Sequence, residues 1–363
     1  MADEPRISVI VPVYGVAGYL PACLDSLLAD DDGDADDGDV LDRQIEVIAV
    51  DDASPDRSGA ILDERAAADS RLQVTHLERN GGQGAARNLA LGRARGDYVW
   101  FVDSDDTVAD GSLAAITAAL AQAKPDVLLL NWESCYPGGR TEPNVHSALL
   151  SAVPAGGCTL EDQPQLINLT MTSWSKVFRR DFLAGLDVGF GTGIHEDIFL
   201  TFAALLNADV IGAVSQVCYR YRRQRPGAAM STTSRGQEAV FDAYHRVFEL
   251  LASRGAAGRP ASAALQAAIF ERAIEHYSTV LETTGPGIGR IGRPGLVPRA
   301  DRKQWFARMH ADFGRYRPAS YQHPPGPRGA KLRLIERGRY RTYSLLEPLN
   351  QARVTLLRRA RSR

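Results

Sequence analysis

Residues 7–12 (ISVIVP), 45–50 (IEVIAV) and 97–102 (DYVWFV) are short, nearly unbroken apolar runs. That is the pattern of strands covered on both faces, as in a parallel sheet. Between them the spacing changes. Leu20, Leu24, Leu27 and Leu28 recur at helical intervals within residues 19–29, and residues 58–68 and 85–94 also read as helices. Residues 72–77 add a further strand. Strand alternating with helix predicts an α/β domain whose mostly parallel sheet is flanked by helices. Ligands in such sheets bind outside the carboxyl ends of the strands. Three polar clusters fall there: Pro12-Val13-Tyr14, Asp51-Asp52 and Asp103-Ser104-Asp105-Asp106.

Further along, residues 113–123 read as a helix, 127–131 as a strand, 197–206 as a helix and 214–221 as a strand, with a less regular stretch over 132–172. Helical periodicity then dominates residues 237–251, 261–281 and 302–313. Residues 285–298 are rich in Gly, Pro and basic residues and read as a linker. A Pro-rich segment over 318–327 leads into a basic tail. The organisation expected is a catalytic domain over 1–230, a helical C-terminal region over 231–315 and the Pro-rich segment with its tail over 316–363.

Composition changes this picture little. The 363 residues are 44% apolar and 24% charged, with a net charge of -2, as in ordinary globular proteins. The bias is local. Residues 30–42 hold eight aspartates, and residues 331–363 hold ten Lys or Arg against Glu336 and Glu347. In the tail, Leu345, Leu346, Leu349, Val354, Leu356 and Leu357 mingle with arginines, which predicts a basic amphipathic helix suited to an anionic membrane surface or an anionic polymer. A frayed tail is the alternative. Nucleic acid is not an expected partner, because no aromatic-interleaved basic motif accompanies the charge. The four cysteines, Cys23, Cys135, Cys158 and Cys218, have neither zinc nor disulfide-framework spacing, which points to a reducing compartment. With an acidic N-terminus and no long apolar span, a cytoplasmic protein is expected, peripheral to the membrane if the tail anchors it.

Carboxylates one residue apart at a strand end suit a hard divalent cation shared with substrate phosphates. A solvated turn or helix cap would use the same residues. The loop Asn80-Gly81-Gly82-Gln83-Gly84 lacks the G-K-[ST] ending of a phosphate loop. Read from Asp32, the aspartate-rich loop has Asp37 where a calcium hand needs Gly, so it reads as a solvated loop.

Taken together, residues 8–14 (SVIVPVY), 50–54 (VDDAS), 80–88 (NGGQGAARN), 96–106 (GDYVWFVDSDD), 174–179 (WSKVFR) and 195–197 (HED) resemble the inverting family 2 glycosyltransferases over about residues 6–230. The branch that looks most similar serves bacterial cell-surface polysaccharides and teichoic-acid-type wall polymers. The resemblance implies the GT-A (Rossmann-like) fold. It also implies transfer of a sugar from a nucleotide-diphosphate donor, UDP-linked by expectation, to a hydroxyl of a glycan or wall polymer. Carried over by motif, Pro12, Val13, Tyr14 and Asp52 would hold the base, and Arg87 would contact the nucleotide. Asp105 would bind Mn2+ or Mg2+, with Asp103 on the metal or ribose and Asp106 structural. Asp197 would be the general base with Glu196 beside it. Lys176, and more weakly Arg222, sit in basic stretches suited to the diphosphate or acceptor. His195 could line the acceptor site or bind the metal, but a plain polar contact is the preferred reading. The helical C-terminal part implies oligomerisation, membrane docking or acceptor binding. A non-catalytic scaffold that binds sugar nucleotide or polymer at the membrane surface is the rival reading. Nucleotidyl transfer lacks its lysine-bearing first loop.

Overall fold

A computed structural model describes residues 7–29, 45–224, 234–282 and 296–346. The chain divides into two compact units, Met1–Arg223 and Gln224–Arg363. The aspartate-rich loop 30–42, most of the expected linker 285–298 and the tail from 347 onward lie outside the described residues.

In the first unit, β1 (Ile7–Val13), β2 (Ile45–Asp51), β3 (Leu72–His76) and β4 (Tyr98–Phe101) form a parallel set, with α1 (Leu20–Leu28), α2 (Ser58–Ala68) and α3 (Gln83–Leu91) in the connections. Beyond them come β5 (Thr107–Val108), α4 (Ser112–Ala123), β6 (Val127–Cys135), β7 (Thr141–Pro143), α5 (Ser147–Ser151), β8 (Lys176–Arg179), α6 (Arg180–Gly185), α7 (Ile198–Asn207) and β9 (Ile211–Arg222). All nine strands share one sheet in the order β3-β2-β1-β4-β8-β6-β9-β5, with β7 on β6. The fold is therefore α/β, with a parallel first half and a mixed second half. β8 pairs antiparallel with both β4 and β6 and joins the two halves. The basic stretch around residue 176 thus contributes a buried central strand that its charges concealed.

Every residue of β1, β2 and β4 is buried, as expected of strands packed on both faces. Val9, Val11, Val47, Trp100 and Val177 join Leu20, Leu24 and Leu27 of α1 in one apolar cluster. Where the strands begin, polar needs are met internally: Glu46 accepts from the Ser8 hydroxyl at 2.7 Å and from the Arg95 guanidinium at 2.7 Å. The chemistry is left at the opposite ends.

The second unit contains α8 (Ala239–Ala256), α9 (Ala263–Glu282), α10 (Arg302–Tyr316) and α11 (Gly326–Glu336). Its core is aromatic. Phe241 stacks on Tyr277 at 4.2 Å between centroids, and Phe270 meets Phe313 at 5.0 Å. His245 shares a hydrogen bond of 2.8 Å with the buried Asp312. The Pro-rich segment ends in α11, a helix that begins at Gly326 with Pro in its first turn, where a missing N–H costs nothing. Among the described residues no helix is long and apolar enough to cross a membrane.

Candidate active site

The loop after β1 is pinned by the loop after β2. Gly15 N–H donates to Ser54 Oγ, Val16 N–H to Ser58 Oγ and Ala17 N–H to Asp56. Pro12 and Val13 are buried within β1, and Tyr14, the first residue past it, is 50% exposed. Asp52 N–H donates to Val13 O at 2.8 Å, which ties the two strand ends together.

Asp52 is 2% exposed, and its carboxylate faces the glycine loop: Oδ1 accepts from Gly81 N–H at 2.7 Å and Oδ2 from Gly82 N–H at 2.8 Å. Gly82 has φ of +87°, a conformation most residues avoid, so it turns the chain tightly into α3. The expected base-binding aspartate therefore also builds the turn.

The segment 80–88 is the hub of the site. Gln83 Nε2 donates to Asp103 Oδ1 at 2.9 Å. A Cβ on Gly84 would lie 2.3 Å from Gly191 O, so only glycine lets α3 approach the loop before α7. Asn88 clamps that loop, its amide donating to Phe190 O and its carbonyl accepting from Phe190 N–H. Between these contacts lies Arg87, only 2% exposed. Its Nη2 donates to Asp103 Oδ1 at 2.5 Å and its Nη1 to Glu196 Oε1 at 2.6 Å. The guanidinium also sits 5.1 Å from the centroid of the Phe190 ring. Arg87 was expected at the nucleotide as a helix-start charge. In the structure it bridges two acidic motifs, bonding Asp103 of one and Glu196 of the other.

After β4 the carboxylates separate by burial. Asp106 is 1% exposed; Tyr219 Oη donates to its Oδ2 at 2.8 Å and Arg222 N–H to its Oδ1 at 2.6 Å. The same Tyr219 hydroxyl accepts from Asp103 N–H at 3.1 Å, so one phenol braces the whole turn. Burial, with Asp103 and Asp105 nearby, holds the Asp106 carboxyl well above its ordinary range. Asp103 and Asp105 are half-buried. Burial also raises Asp103, with Arg87 opposing and Asp105 and Asp197 adding to the rise. Arg222, the weaker of the basic candidates, donates from Nε to Asp105 O at 2.7 Å and lies over the Tyr19 ring.

Glu196 and Asp197 stand at the start of α7. Asp197 Oδ2 accepts from Ser173 N–H at 3.0 Å. Glu196 is pushed up to about 7, by burial first and by Asp197 second, against the pull of Arg87. Adjacent like charges disfavour joint ionisation. His195, just before the pair, is buried with a positive φ of 68°.

Lys176 departs from the expectation. It is fully buried, and its ammonium donates to Thr170 O at 2.7 Å, Thr172 O at 2.8 Å and Ser175 Oγ at 3.0 Å. A lysine has three donors, so these contacts take up the ammonium within the loop. It holds the turn that presents Ser173 N–H to Asp197 instead of facing a diphosphate.

Among the described residues no three His, Cys, Asp or Glu side chains converge as a ready-made metal cage. The donor set nonetheless fits a hard cation. Asp103 and Asp105 offer half-buried carboxylate oxygens one residue apart, the kind of ligand such a cation takes. A cation there would complete its shell with water or substrate oxygens. Gln83, Asn88, Ser173 and Tyr219 are site residues that motif reading passed over. Gln83 and Asn88 lay inside a quoted motif and Tyr219 opens the basic stretch that holds Arg222; Ser173 carried no local signal.

Residues 8–186 match the family described as Glycosyl transferase family 2. The uncharacterized glycosyltransferase EpsJ of Bacillus subtilis (strain 168) is 30% identical over 227 residues, covering 60% of this chain and 61% of EpsJ. The poly(ribitol-phosphate) beta-N-acetylglucosaminyltransferase TarS of Staphylococcus aureus (strain MW2) is 32% identical over 240 residues, covering 65% of this chain and 39% of TarS. The match thus spans less than two thirds of either relative. Among solved structures, S. aureus TarS 1–349 in complex with UDP-GlcNAc superposes with a TM-score of 0.70 at 23% identity, covering 96% of this chain and 92% of that one. That likeness shows a shared GT-A fold.

Proposed function

Because the chain carries a family 2 glycosyltransferase domain at residues 8–186, we propose that it transfers a sugar, with inversion, from a UDP-linked donor to a hydroxyl of a cell-surface glycan or wall polymer. The acceptor class we favour is a polyol-phosphate polymer, in keeping with the substrate in the name of TarS. The observation that carries the reading is Arg87. One buried guanidinium bonds Asp103 of the first acidic motif and Glu196 of the second, so the two motifs share one site although nothing in the chain between them requires it.

In this reading Pro12, Val13, Tyr14 and Asp52 form the base-binding edge, with the half-exposed Tyr14 ring against the base. Asp105 and Asp103 hold Mn2+ or Mg2+. Such a cation, when bound, supplies Lewis-acid stabilisation of charge on the leaving diphosphate. Asp197 takes the proton of the acceptor hydroxyl as it attacks the anomeric carbon from the face opposite the diphosphate. Ser173 N–H fixes one carboxylate oxygen of Asp197, leaving the other for the acceptor. Glu196, held by Arg87, keeps the loop of the base in place. Lys176 acts through the same loop. The reading includes a cytoplasmic location, with the basic residues of the tail near an anionic membrane face and self-association open to the helical unit.

A thermal-shift screen of nucleotide sugars with Mn2+, followed by UDP release, tests this. A UDP-sugar should stabilise the chain most and be turned over. Stabilisation without any UDP release or transfer would replace the enzyme with a non-catalytic binding scaffold.

A further inference from the structure

Four aromatic rings stand together behind the acidic turn, and the donor machinery accounts for only one of them. Trp174 stacks on Tyr219 at 4.5 Å and 17°, and on Tyr221 at 5.3 Å and 23°. Trp132 meets Trp174 edge-on at 5.5 Å and Tyr221 at 6.3 Å. Tyr219 is fully buried and braces Asp103 and Asp106; Trp174 is 5% exposed. Trp132 and Tyr221 remain half-buried.

The presentation of these two rings is built into the sheet. The pairing of β6 with β9 shifts register on both sides of Asn131, so Asn131 faces Val217 and Trp132 faces Tyr219. Such irregularities re-aim side chains and gather near active sites. Asn131 holds this one: its amide donates to Ser215 O at 2.7 Å and its carbonyl accepts from Trp132 N–H at 2.9 Å. Asn144 N–H donates to Trp132 O. Trp174 is fixed in turn by Trp100 Nε1, which donates to its carbonyl at 2.9 Å.

The aromatic wall is joined through the chain to the residue that holds Asp197. Trp174 directly follows Ser173, whose N–H bonds Asp197. At the other end, the Arg223 guanidinium lies 5.1 Å from the centroid of the Tyr221 ring. Aromatic faces bind the C–H faces of sugars and polyols by excluding water, and an arginine recognises phosphate oxygens. We propose that Trp132 and Tyr221, backed by Trp174, form the acceptor subsite, and that Arg223 beside them engages the phosphate of a polyol-phosphate chain. This rests on the glycosyltransfer reading above and names the residues that would seat its second substrate.

The test uses the full chain, poly(ribitol phosphate) as acceptor and the UDP-sugar chosen by the thermal-shift screen. Trp132→Ala and Tyr221→Leu should each raise the acceptor KM by about tenfold, with the donor KM moving less than about threefold. Trp132→Phe keeps a ring and should recover most of the loss, which separates recognition from folding. Arg223→Gln should raise the acceptor KM and flatten its dependence on salt. An unchanged acceptor KM in both ring variants overturns the subsite. A donor KM that rises as much as the acceptor KM assigns the wall to the donor and overturns it too. A wild-type chain that releases UDP yet transfers nothing to the polymer overturns the polyol-phosphate class. One that releases no UDP sinks the glycosyltransfer reading itself.

Discussion

Strands β3, β2, β1 and β4 run parallel and deliver short polar turns to one rim, whereas β8, β6, β9 and β5 form a mixed sheet that delivers rings and braces. In the parallel half the acidic residues lie within a few residues of a strand end, so Asp52 and Asp103 fall inside compact motifs. In the mixed half the parts come from far apart. Ser173 supports Asp197, Lys176 supports the loop of Ser173, and Tyr219 reaches back to Asp103 and Asp106. The contrast shows two ways to make a site. One half places chemistry by chain direction, and the other positions it by long-range pairing.

Substitutions can break or sharpen that contrast. The largest effect belongs to the proposed base: Asp197→Asn should lower transfer by about 10²–10⁴ while UDP binding, followed by calorimetry, persists. Full transfer by this variant would move the base elsewhere. Next comes the bridge between the halves. Arg87→Ala leaves the half-buried Asp103 and Glu196 without their shared cation, so stability in urea should drop by about 3–5 kcal/mol and transfer should fall, though by less than in Asp197→Asn. Lysine at this position would not restore it, because one ammonium lacks the fork that reaches both carboxylates. A third change touches only the mixed half. Lys176→Met strips the 170–175 loop of its donors, and kcat should fall by about tenfold or more with the donor KM little altered; a raised donor KM would return Lys176 to the diphosphate.

Two smaller effects depend on pH. Glu196 binds its proton more tightly folded than unfolded, since its value rises from 4.5 to about 7. Its contribution to stability therefore falls as pH rises from about 4.5 through about 7. Glu196→Gln removes this dependence, so between pH 5 and pH 8 the wild type should lose roughly 2–4 °C of Tm relative to the variant. The smallest effect lies in the parallel half. His76 bonds Asp51 at 3.0 Å and Asp63 at 2.9 Å, and these carboxylates raise its pKa above 6.5. The stability it adds is fully present below about pH 6.5 and is lost as pH rises through the higher folded value. His76→Gln should cost under about 1 kcal/mol, because the ring is partly solvated, and more at pH 6 than at pH 8.5.

Much of the parallel half was legible beforehand because burial on both faces demands unbroken apolar runs. Residues 45–50 were expected as a strand and Ile45–Asp51 forms one; residues 58–68 were expected as a helix and Ser58–Ala68 forms one. The strand Lys176–Arg179 was missed because a buried lysine and a terminal arginine hid its two apolar residues. The short strands Thr107–Val108 and Thr141–Pro143 are too brief to show any period. Asp103 and Glu196 lie in motifs that the sequence singled out, but the bridge that Arg87 makes between them was not expected. A charge one turn into a helix looks exposed until another loop closes over it.

By itself the sequence determined the α/β class, the strand ends that carry the polar clusters and the identity of the acidic motifs. These follow from local period and from the oxygen chemistry of carboxylates, which neighbours along the chain already reveal. Only the tertiary structure decided that Arg87 joins Asp103 to Glu196, that Lys176 faces inward and that Trp132 and Tyr221 share a wall with Trp174. Those outcomes depend on burial and on pairing across the sheet, and neither leaves a mark in the spacing of residues along the chain.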